Sequence, residues 1–424
     1  MSNAKKKKKV KAKQQRTSFF VKGDWPVYLT LTLLLLVAFG LMALFSASYA
    51  SAYIKSGDSY QYIQKQAICA AIGLVAMVGF GMLNYHELDR RVGLFYAAAL
   101  ILLAIVHFTC DPLNGATRWL YWDNAALSWV PTFQVSELAK FVMILVTARL
   151  VCVFHASNKK GPQGLIYPLL AVMPVVYFVF KQPHLSGTII ILGIVLVMIV
   201  MSGVGTPYLL VLAGLSVPLG YVGYKIAMGI SYVSDRLDGM TLIVEEMEWQ
   251  TKQSIYAIGS GGLTGLGFGN GVQKQMWLPE ATNDFIFSVI CEELGFLGAM
   301  LVIFLFVVFI IQGFYFAMEA ADLYGSMLAI GITAQIAIQF AFNIGVVTSL
   351  LPNTGISLPF FSSGGTSLIM LLAQVGVLIS VARAGNAAKA ERAKEKEAQV
   401  IAQVVQAAPI KNKMSHPATA LANK

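Results

Sequence analysis

The run FIFSVICEELGFLGAMLVIFLFVVFIIQGFYF, residues 285–316, is an apolar segment that begins directly after the polar stretch PEATND, residues 279–284. About 20 predominantly apolar residues are enough for a helix to cross the hydrocarbon core of a bilayer. Of the 424 residues in the chain, 57% are hydrophobic and only 12% are charged, with a mean hydropathy of +0.68. These values exclude a water-soluble domain of this length and predict an all-α polytopic membrane protein.

Ten apolar runs are long enough to span a membrane, and they lie near 27–50, 66–84, 92–109, 138–156, 165–180, 187–203, 207–229, 285–316, 325–350 and 366–384. The run at 165–180 is short and carries Pro168 and Pro174, a pattern that a re-entrant segment would also explain. We therefore expect a basic tail at 1–26, about ten transmembrane helices within 27–384, and a tail at 385–424 that is helical or disordered. A large extracytoplasmic loop, 230–284, is predicted between the seventh and eighth helices.

Basic residues predict the orientation of the chain, because lysine and arginine are retained on the cytoplasmic side of short loops. With ten spans, the N-terminal tail, the Arg90–Arg91 loop, the Lys159–Lys160 loop and the tail from Arg383 to Lys396 all lie on one side. Both termini are therefore predicted to be cytoplasmic. The net charge of +10 comes largely from the AKKKKKVKAKQQR stretch beside the first span. Anionic membrane lipids explain this stretch better than nucleic acid does, because it contains no aromatic residues.

The four cysteines do not predict a disulfide framework, because Cys69, Cys110, Cys152 and Cys291 show no paired spacing. Three of them lie in predicted spans, where cysteine acts as a small apolar packing residue.

Asp284 is the main candidate for chemistry, because it lies where the outer loop enters the eighth span. A carboxylate at a membrane boundary is more often functional than stabilising. The structural alternative is that Asp284 caps the helix and complements its dipole. Glu292 and Glu293 follow roughly 12 to 14 Å further along such a helix, at 1.5 Å per residue. At that depth they require a polar cavity or cationic partners.

A second group of candidates precedes the fourth span, where the sequence reads FQVSELAKF. Ser136 and Glu137 fit an ordinary helix start, with Ser136 as the N-cap. Lys140 fits it poorly, because a lysine in the first turn opposes the helix dipole and enters an apolar span. We expect Lys140 to face an anionic ligand or a carboxylate, the alternative being that it extends to the interface. Nearby, the guanidinium of Arg118 has a fork of donors that fits phosphate oxygens. Trp119 is suited either to an interfacial aromatic belt or to stacking on a sugar ring.

Two further outer segments have unusual backbone chemistry. The run IGSGGLTGLGFGNG, residues 258–271, lacks the Gly-Lys-Ser/Thr ending of a nucleotide-binding loop. Its glycines instead predict a loop that folds over a substrate or dips into the membrane. The last outer turn, residues 351–366, contains Ser362, Ser363, Gly364 and Gly365. These residues could coordinate an oxyanion, or could form a plain turn before the next helix.

In its motifs the chain resembles the shape, elongation, division and sporulation proteins typified by FtsW, RodA and SpoVE. The resemblance extends from about residue 24 to 384. It rests on six motifs in the family's order: GATRW, FQVSELAKF, QPHLSGTI, IGSGGLTGLGFGNG, WLPEATNDFIFSVICEELGFLG and LPNTGISLPFFSSGGTSL. QPHLSGT and SSGGT are more similar to the division and sporulation branch of Gram-positive bacteria than to RodA.

The resemblance implies a peptidoglycan glycosyltransferase that polymerises lipid II at the outer face of the cytoplasmic membrane. Asp284 would be the general base that deprotonates the acceptor sugar 4-hydroxyl while this oxygen displaces the lipid diphosphate with inversion. Arg118, Lys140 and Lys274 are the candidates for stabilising that leaving group. Trp119 and Gln182 are expected to line the substrate cavity.

The family also implies partners, namely a class B penicillin-binding protein acting as transpeptidase and other division or elongation proteins. The sequence predicts no protein metal site, although a magnesium or manganese ion could share the stabilisation of the diphosphate. The chain departs from the family at Thr282-Asn283, where many members have His-Thr, and at Ser363, where many have tyrosine. A flippase for lipid II or another polyprenyl-linked sugar, or a non-catalytic division scaffold, remains as an alternative.

Overall fold

The computed structural model describes residues 19–109, 119–120, 133–156, 162–182, 184–214, 225 and 247–407. Eleven named helices and one two-stranded ladder lie within these ranges. The helices are α1 (Val27–Ser56), α2 (Gln61–Met82), α3 (His86–Arg90), α4 (Val92–Thr109), α5 (Val135–Ala156), α6 (Gln163–Lys181), α7 (Leu185–Met201), α8 (Trp249–Ser260), α9 (Ile286–Met318), α10 (Leu323–Val347) and α11 (Gly365–Ala407). Strands β1 (Trp119–Leu120) and β2 (Phe133–Gln134) pair antiparallel, with Trp119 opposite Gln134.

The predicted spans coincide with these helices wherever the structure describes them. Eight helices are long and apolar enough to cross a membrane, and α7 is a shorter apolar helix. The predicted span 207–229 is helical over 206–214, and its remaining residues, apart from 225, lie outside the described ranges. The run at 165–180 is an uninterrupted helix, α6, that contains both of its prolines. The chain is therefore a multi-pass helical membrane protein.

Apolar side chains on the outside of the bundle agree with this assignment, because lipid is the solvent for such a surface. Exposed examples occur on α1, α6 and α9, and include Tyr28, Leu31, Leu170, Met173, Phe304 and Ile311. Close packing inside the bundle depends on small residues. A Cβ on Gly73 of α2 would lie 2.5 Å from Leu372 of α11, and one on Gly331 of α10 would lie 2.6 Å from Ile144 of α5.

The two ends of the bundle differ in chemistry. The basic end contains the N-terminal segment 19–26 and the short helix α3. Here the Arg383 guanidinium donates to the carbonyls of Val21 (3.1 Å), Gly23 (3.1 Å) and Gly81 (2.9 Å). It also lies over the Trp25 ring, with 5.4 Å between the guanidinium carbon and the ring centroid. These contacts join the start of the chain to α2 and α11.

The opposite end, called here the Asp284 end, contains the β1–β2 ladder, α8, the loop 261–285 and the loop 348–364. Helix α11 begins at this end and runs without a break to Ala407, well beyond the span predicted at 366–384. The predicted transmembrane segment and the first part of the predicted tail are thus one helix. Residues 390–403 of this helix are exposed.

Candidate functional site

Asp284 lies two residues before α9, where the loop closes into the helix. It is half-buried. The N-cap position is taken by Phe285, which makes no side-chain cap hydrogen bond. Glu280 lies two residues before Thr282 and has a φ of 54°. Its main-chain carbonyl accepts the N–H groups of Asn283 (2.9 Å) and Phe285 (3.3 Å). Asp284 is thus presented by a tight loop that leads directly into α9.

The main chain of the Thr282-Asn283-Asp284 motif is held at three successive carbonyls. The Ser363 N–H donates to the Thr282 carbonyl (2.8 Å), and the Ser362 hydroxyl donates to the Asn283 carbonyl (2.6 Å). The Asp284 carbonyl accepts from the side-chain amide of Asn343 on α10 (2.7 Å). Irregular backbone at membrane depth requires such partners, and here they fix the base of the Asp284 side chain.

Gly355 flanks the Asp284 carboxylate. Its φ of 67° is in the left-handed region, and a Cβ at this position would lie 3.2 Å from Asp284 Oδ2. The loop approaches the carboxylate closely because no side chain is present there.

The SSGG segment, residues 362–365, makes several hydrogen bonds with the rest of the protein. The Ser362 hydroxyl also accepts the N–H of Leu358 (2.8 Å). The Gly364 N–H donates to Gln66 Oε1 (3.3 Å), and Gly365 is the first residue of α11. These contacts, together with those of Ser363, fix the loop to the Asp284 motif. The Ser362 hydroxyl and the N–H groups of Ser363 and Gly364 are therefore bound by protein in this structure, and the oxyanion role of the segment stays a prediction.

Lys140 forms a buried ion pair with Glu137 at the start of α5. The distance from Lys140 Nζ to Glu137 Oε1 is 2.7 Å, and the two residues are 2% and 4% exposed. Lys140 therefore faces a carboxylate and does not extend to the interface. Ser136 lies inside the helix, which begins at Val135, so the predicted N-cap is wrong. Among the described residues, neither Ser136 Oγ nor Glu137 Oε2 has a hydrogen-bond partner.

The start of α5 is linked to the Asp284 loop through α7. Gln134 Nε2 lies 3.4 Å from His184 Nε2 at the N-cap of α7. Two residues later, the Ser186 hydroxyl donates to the Thr354 carbonyl. Thr354 precedes Gly355, the neighbour of the Asp284 carboxylate. The structure thus brings the predicted base and the predicted cationic helix start to the same end of the bundle.

Three other predicted site residues have no described contact with the Asp284 loop. Trp119 is half-buried in β1 and pairs with Gln134, and Arg118 lies outside the described residues. Gln182 is 1% exposed, and its amide donates to the Leu103 carbonyl on α4 at 3.1 Å. This contact fixes the end of α6 against α4, and the role of Gln182 in lining a substrate cavity stays a prediction.

Lys274 is part of a buried cluster with Ser46 and Glu293, and its role as a diphosphate-binding cation stays a prediction. It is 6% exposed and forms an ion pair with Glu293 Oε1. Its Nζ also donates to Ser46 Oγ on α1 (2.8 Å), and Ser46 in turn donates to Glu293 (2.6 and 2.7 Å). Lys274 is the cationic partner that the depth of Glu293 requires.

Glu292 is satisfied by main-chain donors. Its Oε1 accepts the N–H groups of Val272 (2.8 Å) and Gln273 (3.1 Å), while Glu293 Oε2 accepts that of Gly269 (3.1 Å). The two glutamates therefore attach the loop 261–274 to α9.

The glycine-rich loop follows α9 past its kink at Gly295, where φ is 65° and ψ is −165°. A Cβ on Gly265 would lie 2.1 Å from the Glu293 carbonyl oxygen. Gly262 accepts the N–H of Phe296 (2.9 Å). Leu263 at the turn is 72% exposed. The loop thus extends beside the first three turns of α9.

The sequence argument missed the polar side chains that position the site from within spans. Asn343, Gln66 and Ser46 were not among the predicted site residues. Gln66 is the last of three glutamines at the start of α2, after Gln61 and Gln64, and the sequence alone does not distinguish it from the other two. For metal binding, the described part of the chain contains no group of three or more His, Cys, Asp or Glu residues able to hold an ion. Cys69, Cys152 and Cys291 are free thiols, and Cys110 lies outside the described residues.

Comparison with known proteins identifies similar chains over almost the whole length. The sequence profile of the FtsW, RodA and SpoVE group, described as cell cycle proteins, matches residues 27–387. Stage V sporulation protein E of Bacillus subtilis is 36% identical over 367 residues, covering 84% of this chain and 96% of the relative. A probable peptidoglycan glycosyltransferase FtsW of Geobacter metallireducens is 32% identical over 351 residues, covering 82% and 91%.

Solved structures agree with the sequence relatives. A chain from a peptidoglycan synthase complex, studied for the coordination of polymerization and crosslinking, has a TM-score of 0.69 at 26% identity, covering 85% of this chain and 98% of that one. The rod shape determining protein RodA of Thermus thermophilus has a TM-score of 0.60 at 26% identity, covering 85% and 97%.

Proposed function

The chain belongs to the FtsW, RodA and SpoVE family of cell cycle proteins, and on that premise we propose that it is a peptidoglycan glycosyltransferase that polymerises lipid II into glycan strands. The observation that carries the proposal is Asp284, a half-buried carboxylate at one end of the bundle. Its main chain is fixed by Asn343 and by the segment 362–363. A general base needs this kind of fixed placement, because small displacements of the reacting groups are costly in rate.

In the proposed reaction, the Asp284 carboxylate takes the proton from the 4-hydroxyl of the acceptor sugar. The hydroxyl oxygen forms a bond to C1 of the donor sugar while the bond from C1 to the diphosphate oxygen breaks. Inversion at C1 follows from this single displacement. The donor sugar already carries a good leaving group, the lipid diphosphate, so the step needs no nucleotide.

Lys140 is the proposed cation for the developing charge on the diphosphate, with Arg118 as a second candidate. Because Lys140 is buried beside Glu137, its charge is held in a region of low dielectric, where electrostatic interactions are stronger than in water. A magnesium or manganese ion carried by the diphosphate oxygens themselves would act in the same direction.

The orientation and partners are also proposals. Arg90, Arg91, Arg149 and Arg383 lie at the basic end, which supports a cytoplasmic location for it and an extracytoplasmic location for Asp284. The peptidoglycan synthase complex among the similar structures supports a class B penicillin-binding protein as partner. Lipid II enters from the membrane, so membrane lipids surround the site.

A transporter of lipid-linked sugar is the second candidate. The predicted site residues argue against it, because they cluster in the outer segments and a transporter needs a polar route through the whole bilayer. Gln335 of α10 and Gln374 of α11 weaken that argument, because both are fully buried well inside their helices. A scaffold without catalysis is the third, and it predicts that Asp284 is dispensable.

The test is polymerisation of labelled lipid II by the purified protein, with and without its cognate transpeptidase, comparing the native chain with Asp284→Ala and Asp284→Asn. Folding of each protein is checked by size-exclusion chromatography and thermal unfolding. We expect strands from the native chain and none from either variant. Equal product from native and variant chains would exclude the general-base role. No product from any of them with the partner present would favour transport or scaffolding.

A further inference from the structure

Gln66 is a buried carboxamide on α2, a helix that is otherwise mostly apolar. It is 3% exposed. Burying an amide in an apolar environment is unfavourable unless its donor and acceptor are both hydrogen-bonded. The identity of its partners therefore indicates what the side chain does.

Both groups of the Gln66 carboxamide bind the main chain of the last loop. Nε2 donates to the Ser362 carbonyl (3.1 Å), and Oε1 accepts the Gly364 N–H (3.3 Å). The carboxamide thus spans Ser363 and holds the two peptide groups on either side of it. This two-point contact fixes the local conformation more strictly than a single hydrogen bond would.

The segment held by Gln66 is the same one that holds the Asp284 motif. Ser363 N–H binds the Thr282 carbonyl, and the Ser362 hydroxyl binds the Asn283 carbonyl. These are the two residues directly before Asp284. A displacement of residues 362–364 would therefore be transmitted to the aspartate through two short hydrogen bonds.

Helix α2 provides a rigid base for this contact. Its Gly73 packs so closely on α11 that a Cβ would lie 2.5 Å from Leu372. On the other side of the contact, a Cβ on Gly376 of α11 would lie 2.5 Å from the Met77 carbonyl oxygen. The two helices are thus in close backbone contact on both sides of this interface.

We propose that Gln66 is a positioning residue for Asp284, acting through the segment 362–364 without contacting substrate. The proposal rests on the function proposed above, because it concerns the placement of the general base. It assigns to α2 a role in catalysis that neither the composition of the helix nor its distance along the sequence from residue 284 suggests.

The test uses the full chain with its transpeptidase partner and labelled lipid II, and measures kcat and KM separately. Gln66→Leu has a similar volume and removes both hydrogen bonds. We expect kcat to fall by about 10- to 100-fold, the loss typical of a slightly displaced catalytic group, with KM within about twofold of the native value. Gln374→Leu is the matched control, because it is a fully buried glutamine on α11 outside the contacts described here. Its kcat should stay near the native value.

A second variant, Gln66→Glu, tests the same contact by pH. When protonated, the glutamic acid has the same donor and acceptor as glutamine. When ionised, it loses the donor and places a negative charge beside the Ser362 carbonyl. We expect kcat near native at low pH, falling as pH rises more steeply than in the native chain. This profile can be measured even if Gln66→Leu does not fold.

The outcomes separate the two proposals. A folded Gln66→Leu with native kcat, or a Gln66→Glu profile identical to the native one, would overturn the role of Gln66 while the native and Asp284→Ala results still supported the polymerase. An equal fall in kcat for Gln66→Leu and Gln374→Leu would also overturn it. Failure of the polymerase itself would show earlier, as activity in Asp284→Ala or none in the native chain.

Discussion

Asn343 holds Asp284 by its main chain, through a 2.7 Å hydrogen bond from the Asn343 amide to the Asp284 carbonyl. The same amide donates to the Ile356 carbonyl at 2.7 Å. One side chain of α10 thus joins the aspartate loop to the last loop. The contact is buried, since Asn343 is fully inaccessible to solvent.

Asn343→Leu is expected to reduce polymerisation about 10-fold or more while leaving the protein folded, because Asp284 loses its link to α10. Asn343→Asp should reduce polymerisation further, since a carboxylate would face two carbonyl oxygens. Lipid II polymerisation per folded molecule measures both effects. Native activity in Asn343→Asp would show that the contact is not needed for catalysis.

Gly355→Ala should also impair activity, for a different reason. The new methyl group would lie 3.2 Å from the Asp284 carboxylate at a residue with φ of 67°. The strain should destabilise the fold by roughly 1 kcal/mol, and displacement of the carboxylate should lower kcat by several-fold. Gly364→Ala is the matched control, because φ at Gly364 is not in the left-handed region and a Cβ there would meet Ser367 at an ordinary 3.5 Å. A smaller loss of kcat in Gly355→Ala than in the control would contradict the prediction.

The fold was largely predictable because membrane helices are specified by composition. A run such as 285–316 needs no partner to be recognised, since length and hydropathy are local properties. The loop 261–274 could only be anticipated in outline. Its path depends on Glu292 and Glu293 binding main-chain N–H groups some 20 residues away, which local sequence does not reveal.

The site was predictable in its central residue but not in its supporting contacts. Asp284 was found from its position at a span boundary and from the family motif. The pairing of Lys274 was not predicted, because a lysine in an outer loop indicates nothing about whether it is paired. Its partners Ser46 and Glu293 come from two other helices, and only the folded chain brings the three together.

Lys274 and Glu293 should behave as a structural pair. Lys274→Met leaves the Glu293 carboxylate buried without its cation, and should destabilise the protein by about 3–5 kcal/mol. The double variant Lys274→Met/Glu293→Gln has no unpaired charge, and is expected to recover most of the stability and activity. Thermal unfolding in nanodiscs measures the stability of each variant, and lipid II polymerisation measures its activity. A stable but inactive double variant would instead favour the diphosphate role for Lys274.

Asp322 at the basic end should make stability depend on pH. Burial by itself raises the pKa of this carboxyl, but hydrogen bonding and charge attraction from His86, with further hydrogen bonds from Gly325 and Tyr85, outweigh it and hold the pKa below its usual value. A lowered pKa in the folded state stabilises the protein above the unfolded pKa of about 4. That stabilisation is lost as pH falls through the lowered folded value.

The measurement compares thermal unfolding of the native chain and Asp322→Asn between pH 5 and pH 3. At pH 5 the variant should be less stable by roughly 1–2 kcal/mol, because it loses a charge-assisted hydrogen bond to His86. The difference should shrink below about pH 4. Glu319→Gln is the control, since its pair with Lys389 is exposed and should contribute little. A difference that does not change with pH would exclude the charge of Asp322 as its cause.

Lys140 should differ from Lys274, although both are buried lysines paired with glutamate. Lys140→Met is expected to reduce kcat/KM at least about 100-fold, because the diphosphate loses its cation. If Lys140 served only to neutralise Glu137, the double variant Lys140→Met/Glu137→Gln would regain activity, as expected for the Lys274 pair. We expect the double variant to be folded and still inactive, because neutralising Glu137 supplies no positive charge to the leaving group. Polymerisation and thermal unfolding of the single and double variants measure both properties, and an active double variant would reduce Lys140 to a structural counter-ion.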